Sequence, residues 1–309
     1  MLSASLDMRI VFLTQTGIGL LGNIFLLCLY TFTSLTQHNF RPTDLILLQL
    51  VSANCVTLFS KGIPQAMAAS GWRYFLDDNG CKCVFYFYSM GIGVSLRTIC
   101  LYFGFQAIKL NPSIWRWMEL KIRSLKFIAF LCSLCWFLQI LINSFVPMVI
   151  NGPLNGKNFS VENNYVYCSW HTNEGFAGSF TTVIYYCPHF MSLGFVIWAS
   201  SSLVLVLHRH KQRVQYICSS RLSHRPSFEA KATCIILILM SNFVTVYSAY
   251  LILSVYTTLP TNQGQWMLNI SEIVVSSFPA FFPFVLIISD TRISQLCLPC
   301  WDREMHFLI

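Results

Sequence analysis

Charge is scarce in this sequence. Lys and Arg number 20 and Asp and Glu 12 in 309 residues, so only 10% of the chain is charged while 55% is apolar. That leaves too little polar surface to clothe a soluble domain, and the chain is expected to use a bilayer as solvent. Catalytic signatures are lacking as well: there is no H-E-x-x-H spacing, no Gly-rich phosphate cradle and no recognisable nucleophile motif. Neither an enzyme nor a bound cofactor or metal is expected. Internal repeats and low-complexity tracts are absent, so nothing suggests the related halves of a transporter. No connection is long enough to fold separately, and a single domain over 1–309 is expected.

Long apolar runs stand in place of all this. A hydrocarbon core takes about 20 helical residues to cross. Residues 10–32, 127–150, 180–207 and 232–256 are uncharged runs of that length. Three further spans carry one charge each: 45–67 with Lys61, 84–108 with Arg97, and 267–289 with Glu272. The expected fold is an all-α membrane protein, a seven-transmembrane-helix bundle. Short loops rich in Lys and Arg stay cytoplasmic. Arg41, five bases over 109–126, six over 209–231, Arg292 and Arg303 fall on one side, 14 of the 20. The amino end is therefore expected outside the cell and the carboxyl end in the cytoplasm. In a soluble chain a net charge of +8 would suggest nucleic acid; here the bases flank membrane spans, and no nucleic-acid partner is expected. The nine residues before the first span show no cleavable leader, so the first helix is expected to direct insertion.

Of 13 cysteines, only Cys81, Cys83 and Cys168 fall on the expected outer side, where thiols can oxidise. Three thiols allow one bridge. Cys81 with Cys168 is the expected pair, Cys83 the competing partner; such a bond would hold the outer loop 151–179 as a lid over the bundle mouth. Asn158-Phe-Ser160 in that loop is a glycosylation acceptor. Asn269-Ile-Ser271 lies too near the seventh span for easy access, and proline excludes Asn111-Pro-Ser113.

Longer stretches then resemble a family. Asn39–Leu50 (NFRPTDLILLQL) opens the second helix and Gly80–Phe87 (GCKCVFYF) the third; Phe105-Gln106-Ala107-Ile108 closes the third. Arg225–Thr233 (RPSFEAKAT) enters the sixth helix and Ser277–Ile288 (SFPAFFPFVLII) forms the seventh. In order and spacing these resemble the vomeronasal type-1 receptors over nearly the full length. The resemblance implies a G-protein-coupled receptor for pheromone-like small molecules, in the plasma membrane of sensory neurons, with Cys81 at the family's bridging position and an inhibitory-class heterotrimeric G protein as partner. Phe105-Gln106-Ala107 stands where rhodopsin-like receptors carry Asp-Arg-Tyr, a triplet this family generally lacks. Two departures stand out: Ser227-Phe228-Glu229 with Lys231 where the family usually has Ser-Pro-Glu and an arginine, and Arg97 where it tends to have a small or polar residue. A bitter-taste-type receptor is the nearest alternative, and a membrane transporter the alternative from another class.

Helical spacing selects the ligand face. On the third helix Tyr88, Ser89 and Ile92 share one side just inside Cys81; Tyr247, Tyr250 and Ser254 share a stripe of the sixth. The fifth offers Tyr185 and His189 around a kink expected at Pro188, and Glu272 completes the set. Arg97, nine residues from Tyr88, is expected on the opposite side of its helix, off the pocket, with its guanidinium on backbone carbonyls or a polar neighbour. Glu272 is expected near the outer surface, too far for an ion pair with Arg97. Pro279 and Pro283 mark a kink in the seventh helix, and Cys297 and Cys300 beyond it are candidate palmitoylation sites. The basic inner loops are the expected docking face for the G protein and for anionic lipid.

Overall fold

The computed structural model describes residues 2–36, 40–72, 75–110, 124–152, 163–164, 168–170, 176–217, 228–258 and 265–289. Helix dominates. Leu2–Thr36 forms α1, Pro42–Thr57 forms α2 and Ile63–Ala69 forms α3. After these come α4 (Asp78–Leu110), α5 (Leu125–Ile142), α6 (Val146–Val149), α7 (Phe176–Ile217), α8 (Phe228–Thr258) and α9 (Gln265–Ser289). A π-helical turn over Leu58–Gly62 joins α2 to α3 as one rod. Its cause lies one step on: Pro64 has no N–H to give the carbonyl of Ser60, and the helix widens there. Asn143–Phe145 joins α5 to α6 as a 3-10 turn.

Among the described residues five stretches are long and apolar enough to cross a membrane: Ile10–Thr36, Pro42–Ala68, Asp78–Ile108, Leu125–Val149 and Tyr185–Val206. Shorter apolar stretches occupy Met240–Tyr256 in α8 and Ile273–Ile287 in α9. The pattern on α5 shows what surrounds the bundle. Phe130, Phe137 and Leu141 are exposed, while Ile128, Cys132, Cys135 and Gln139 turn inward at helical spacing. A helix that presents phenylalanine outward and buries glutamine is patterned for an apolar solvent.

The helices close into a ring around α4. It packs on α2, α5 and α7, while α8 lies between α7 and α9, and α1 joins α9 to α2. Close approach is made possible by small residues, as between helices in lipid. A Cβ on Gly91 would press against the backbone N of Thr57 at 2.9 Å, and one on Gly93 would fall on the side-chain amide of Gln139. Polar side chains add links. Ser95 Oγ donates to Asn54 Oδ1 at 3.0 Å between α4 and α2, and Trp136 Nε1 donates to Gln49 Oε1 at 2.9 Å between α5 and α2.

At one end a small antiparallel sheet caps the bundle. Its strands are β1 (Ile150–Asn151), β2 (Asn163–Asn164) and β3 (Ser169–Trp170), in the order β1-β3-β2. Cys168, just before β3, is bonded to Cys81 in the first turn of α4, with Cα atoms 5.8 Å apart. The pair is buried with Phe85, Val146 and Ile150. Asp78 reinforces the joint: one carboxylate oxygen accepts the N–H of Gly152 at 2.8 Å, the other accepts from Lys82 Nζ at 2.5 Å. Cys83 is a free, exposed thiol.

Candidate functional site

A chain of rings runs through the bundle beneath this cap. Tyr185 and Tyr186 on α7 meet edge to face with centroids 5.1 Å apart, and Tyr185 lies 5.1 Å from the ring of His189, one turn along. His189 stacks on Tyr247 of α8 at 6.1 Å, and its Nδ1 shares a hydrogen bond with the Tyr247 hydroxyl. Tyr247 in turn stacks on Phe243 at 5.3 Å and meets Tyr250 at 5.6 Å. Phe243 reaches Phe278 of α9 at 4.9 Å and Phe103 of α4 at 6.4 Å. Tyr88, Ile92, Tyr247 and Tyr250 all belong to one buried cluster with Val275 and Phe282. His189 is only 4% exposed, so its ring is held in a water-poor setting by a phenol partner.

Most residues of the expected ligand face thus meet in one packed, buried cluster. Tyr185, His189, Tyr247 and Tyr250 are joined ring to ring, and Tyr88 and Ile92 line the same cluster from α4. Ser89 is buried beside Tyr88 in sequence. Glu272 lies in α9, its side chain outside the described residues, as is the whole of Asn158. Of the residues that spacing did not select, Phe243 and Tyr186 had a signal: one is four residues before Tyr247, the other adjoins Tyr185. Lys61 is a larger surprise. The one charge of the expected span 45–67, it is 4% exposed on the π turn, with Nζ 4.1 Å from the centroid of Tyr88 and 5.1 Å from that of Phe85. A buried ammonium over two ring faces is held by cation–π attraction, which a count of loop charges does not see.

Arg97 requires a correction. It does lie across its helix from Tyr88, yet that side carries its own cavity, of about 10 Å³, lined by Gly93, Leu96, Arg97, Gln139, Ile142, Pro188, His189 and Ser192. The arginine therefore borders His189, a member of the expected ligand set, from below. Among the described residues Arg97 Nη1 is buried with no hydrogen-bond partner, contrary to the expected acceptors, and so is Gln139 Oε1. Pro188 leaves the helix continuous, α7 running unbroken from Phe176 to Ile217, and Ser192 Oγ donates to the Pro188 carbonyl at 2.8 Å.

Helix α9 is stitched from outside itself. Pro283 has no N–H for the carbonyl of Pro279, four residues back, and Asn23 Nδ2 of α1 donates to that carbonyl at 2.7 Å. Gln15 Nε2, two turns earlier on α1, donates to the carbonyl of Ile273 at 3.0 Å. Among the described residues no group of three or more His, Cys, Asp or Glu side chains is placed to hold a metal.

Known proteins are similar to this chain in sequence. Residues 6–299 match the model of the vomeronasal organ pheromone receptor family. The chain is 56% identical to human vomeronasal type-1 receptor 1 over 298 residues, covering 96% of this chain and 84% of that protein. It is 40% identical to human vomeronasal type-1 receptor 4, over 94% of this chain and 96% of the relative. Similarity extends at 27% identity to the zebrafish (Danio rerio) olfactory receptor class A-like protein 1, over 96% and 92% of the two chains.

Proposed function

The chain belongs to the vomeronasal type-1 receptor family, and from that premise we propose that it detects pheromone-like small molecules at the plasma membrane and signals through an inhibitory-class heterotrimeric G protein. It is a chemosensory receptor of the G-protein-coupled type rather than an enzyme, and a membrane protein. The observation that carries the finer reading is the buried cluster of rings under a disulfide-tied cap. Pockets for small molecules form between helices and are lined mainly by apolar and aromatic groups with a few polar ones, and the residues of this cluster have that make-up. Tyr88, Ser89, Ile92, Tyr185, His189, Tyr247, Tyr250 and Glu272 are the ligand contacts in this proposal. His189 and the tyrosine hydroxyls supply the few hydrogen bonds that orient an otherwise apolar ligand.

The same proposal includes seven crossings. At 1.5 Å per residue, the 31 residues of α8 and 25 of α9 extend to about 46 and 37 Å, more than the roughly 30 Å of hydrocarbon. The Cys81–Cys168 bond supports an outward-facing cap, because such bonds persist in oxidising compartments. With that end outside, the basic stretches 109–126 and 209–231 meet the cytoplasm, and Asn158 is on the side where glycans are added.

The test is expression in a reporter cell with a panel of volatile and steroidal compounds, reading cyclic AMP. A fall in cyclic AMP with at least one compound is expected. Surface-expressed receptor that answers none of the panel, or that raises cyclic AMP, overturns the proposal.

A further inference from the structure

We propose that the cavity between α4, α5 and α7 is the site of one ordered water molecule that joins Arg97 to Gln139 and His189, and that Arg97 thereby acts as a positioning residue for the ring cluster. Arg97 and Gln139 both line this space, and Arg97 Nη1 and Gln139 Oε1 are buried with no hydrogen-bond partner among the described residues. The two groups are complementary. A guanidinium nitrogen only donates and an amide oxygen only accepts, so a water molecule takes a hydrogen bond from the first and gives one to the second. Each group would otherwise bear its full desolvation cost. The space fits, since about 10 Å³ is close to what a single water needs.

A third partner gives the water its role. Buried waters make about three hydrogen bonds, and His189 lines the same cavity while its Nδ1 is engaged by the Tyr247 hydroxyl. Nε2 is therefore the ring nitrogen that meets the water. Ser192, on the same wall, turns its hydroxyl hydrogen to the Pro188 carbonyl instead. Hydrogen bonds in a chain polarise one another, so a water that accepts from a cation becomes a stronger donor. Its second hydrogen goes to Nε2. In a neutral imidazole one nitrogen accepts and the other donates, so Nδ1 keeps the proton and donates to the Tyr247 oxygen. Arg97, which touches no ring of the cluster, thus sets the tautomer and orientation of His189 through the water. That His189 meets a ligand rests on the function proposed above; the water and its three partners do not.

The experiment uses the full-length receptor in lipid nanodiscs, carrying histidine labelled with the heavy nitrogen isotope, and reads the two ring nitrogens of His189 by NMR. Their signals are assigned by their loss in His189→Gln. In the wild type the proton is expected on Nδ1. In Arg97→Met it should shift toward Nε2, drawing the two signals together, while Arg97→Lys, which still presents a cationic donor, and Lys82→Gln, whose ion pair with Asp78 is at the outer end of α4, should keep it on Nδ1. A proton already on Nε2 in the wild type, or signals that Arg97→Met leaves in place, overturns the proposal. Should Arg97→Met not fold, a wild-type crystal structure that resolves ordered water decides: one water within hydrogen-bond reach of Arg97, Gln139 and His189 supports the site, and direct contact between Arg97 and Gln139 overturns it. Neither measurement uses a ligand, so failure here is distinct from silence in the reporter assay.

Discussion

At the scale of single residues, the bundle depends on a few atoms with no room to move. Gly93 is one. Any Cβ there falls on the Gln139 amide, so Gly93→Ala should destabilise by roughly 1–3 kcal/mol, the usual result of overpacking. Removing the obstacle tests the cause: Gly93→Ala with Gln139→Ala should melt closer to Gln139→Ala alone than additivity allows. An additive pair would locate the strain elsewhere. The hydroxyl of Tyr247 is another such atom. Tyr247→Phe keeps the stack on Phe243 and deprives buried His189 of its partner, which should lower stability by on the order of 1 kcal/mol. Thermal unfolding in nanodiscs measures it, and an unchanged midpoint would mean that His189 finds another partner.

At the scale of elements, α9 and the cap each depend on a specific device. Asn23 supplies the donor that Pro283 withholds from the Pro279 carbonyl. Asn23→Ala should therefore cost about 1 kcal/mol, in the range of interhelical hydrogen bonds in membranes. In a Pro283→Ala background the new N–H can reach the same carbonyl, and Asn23→Ala should then cost measurably less. Equal costs in both backgrounds would show that the asparagine acts otherwise. The cap depends on Cys81–Cys168, which closes a loop of 87 residues. Breaking it with Cys168→Ser should remove roughly 4–5 kcal/mol by the chain-entropy relation. Cys81→Ser should match it, and the double variant should be no worse than either. Exposed Cys83 should leave stability unchanged when replaced by serine.

At the scale of the whole molecule, much of the architecture was legible because bilayer length and helical rise fix how long an apolar run must be. Each of the seven runs lies on helix, 127–150 ending one residue into β1. Spacing also brought Tyr185, His189, Tyr247 and Tyr250 to one place, since a turn of helix sets which side chains share a face. What spacing misses is how far neighbouring helices approach. Lys61 reads only as the one charge near the end of its span until the π turn sets it over Tyr88, and the helix that Arg97 faces is not named by its spacing, since that depends on α5 bringing Gln139 against Gly93. Gln139 did leave a trace, as a polar residue in an otherwise apolar run with Asn143 one turn on, but a single sequence does not say which helix it faces. Reception of the ligand by the aromatic cluster is tested most directly by dose–response curves of an activating compound on wild type, Tyr88→Ala and Tyr247→Leu at matched surface expression. Both variants should lose at least about tenfold in potency, the equivalent of roughly 1.4 kcal/mol, while Phe130→Leu on the outer face of α5 should not. Unchanged potency in both cluster variants would contradict a ligand site there.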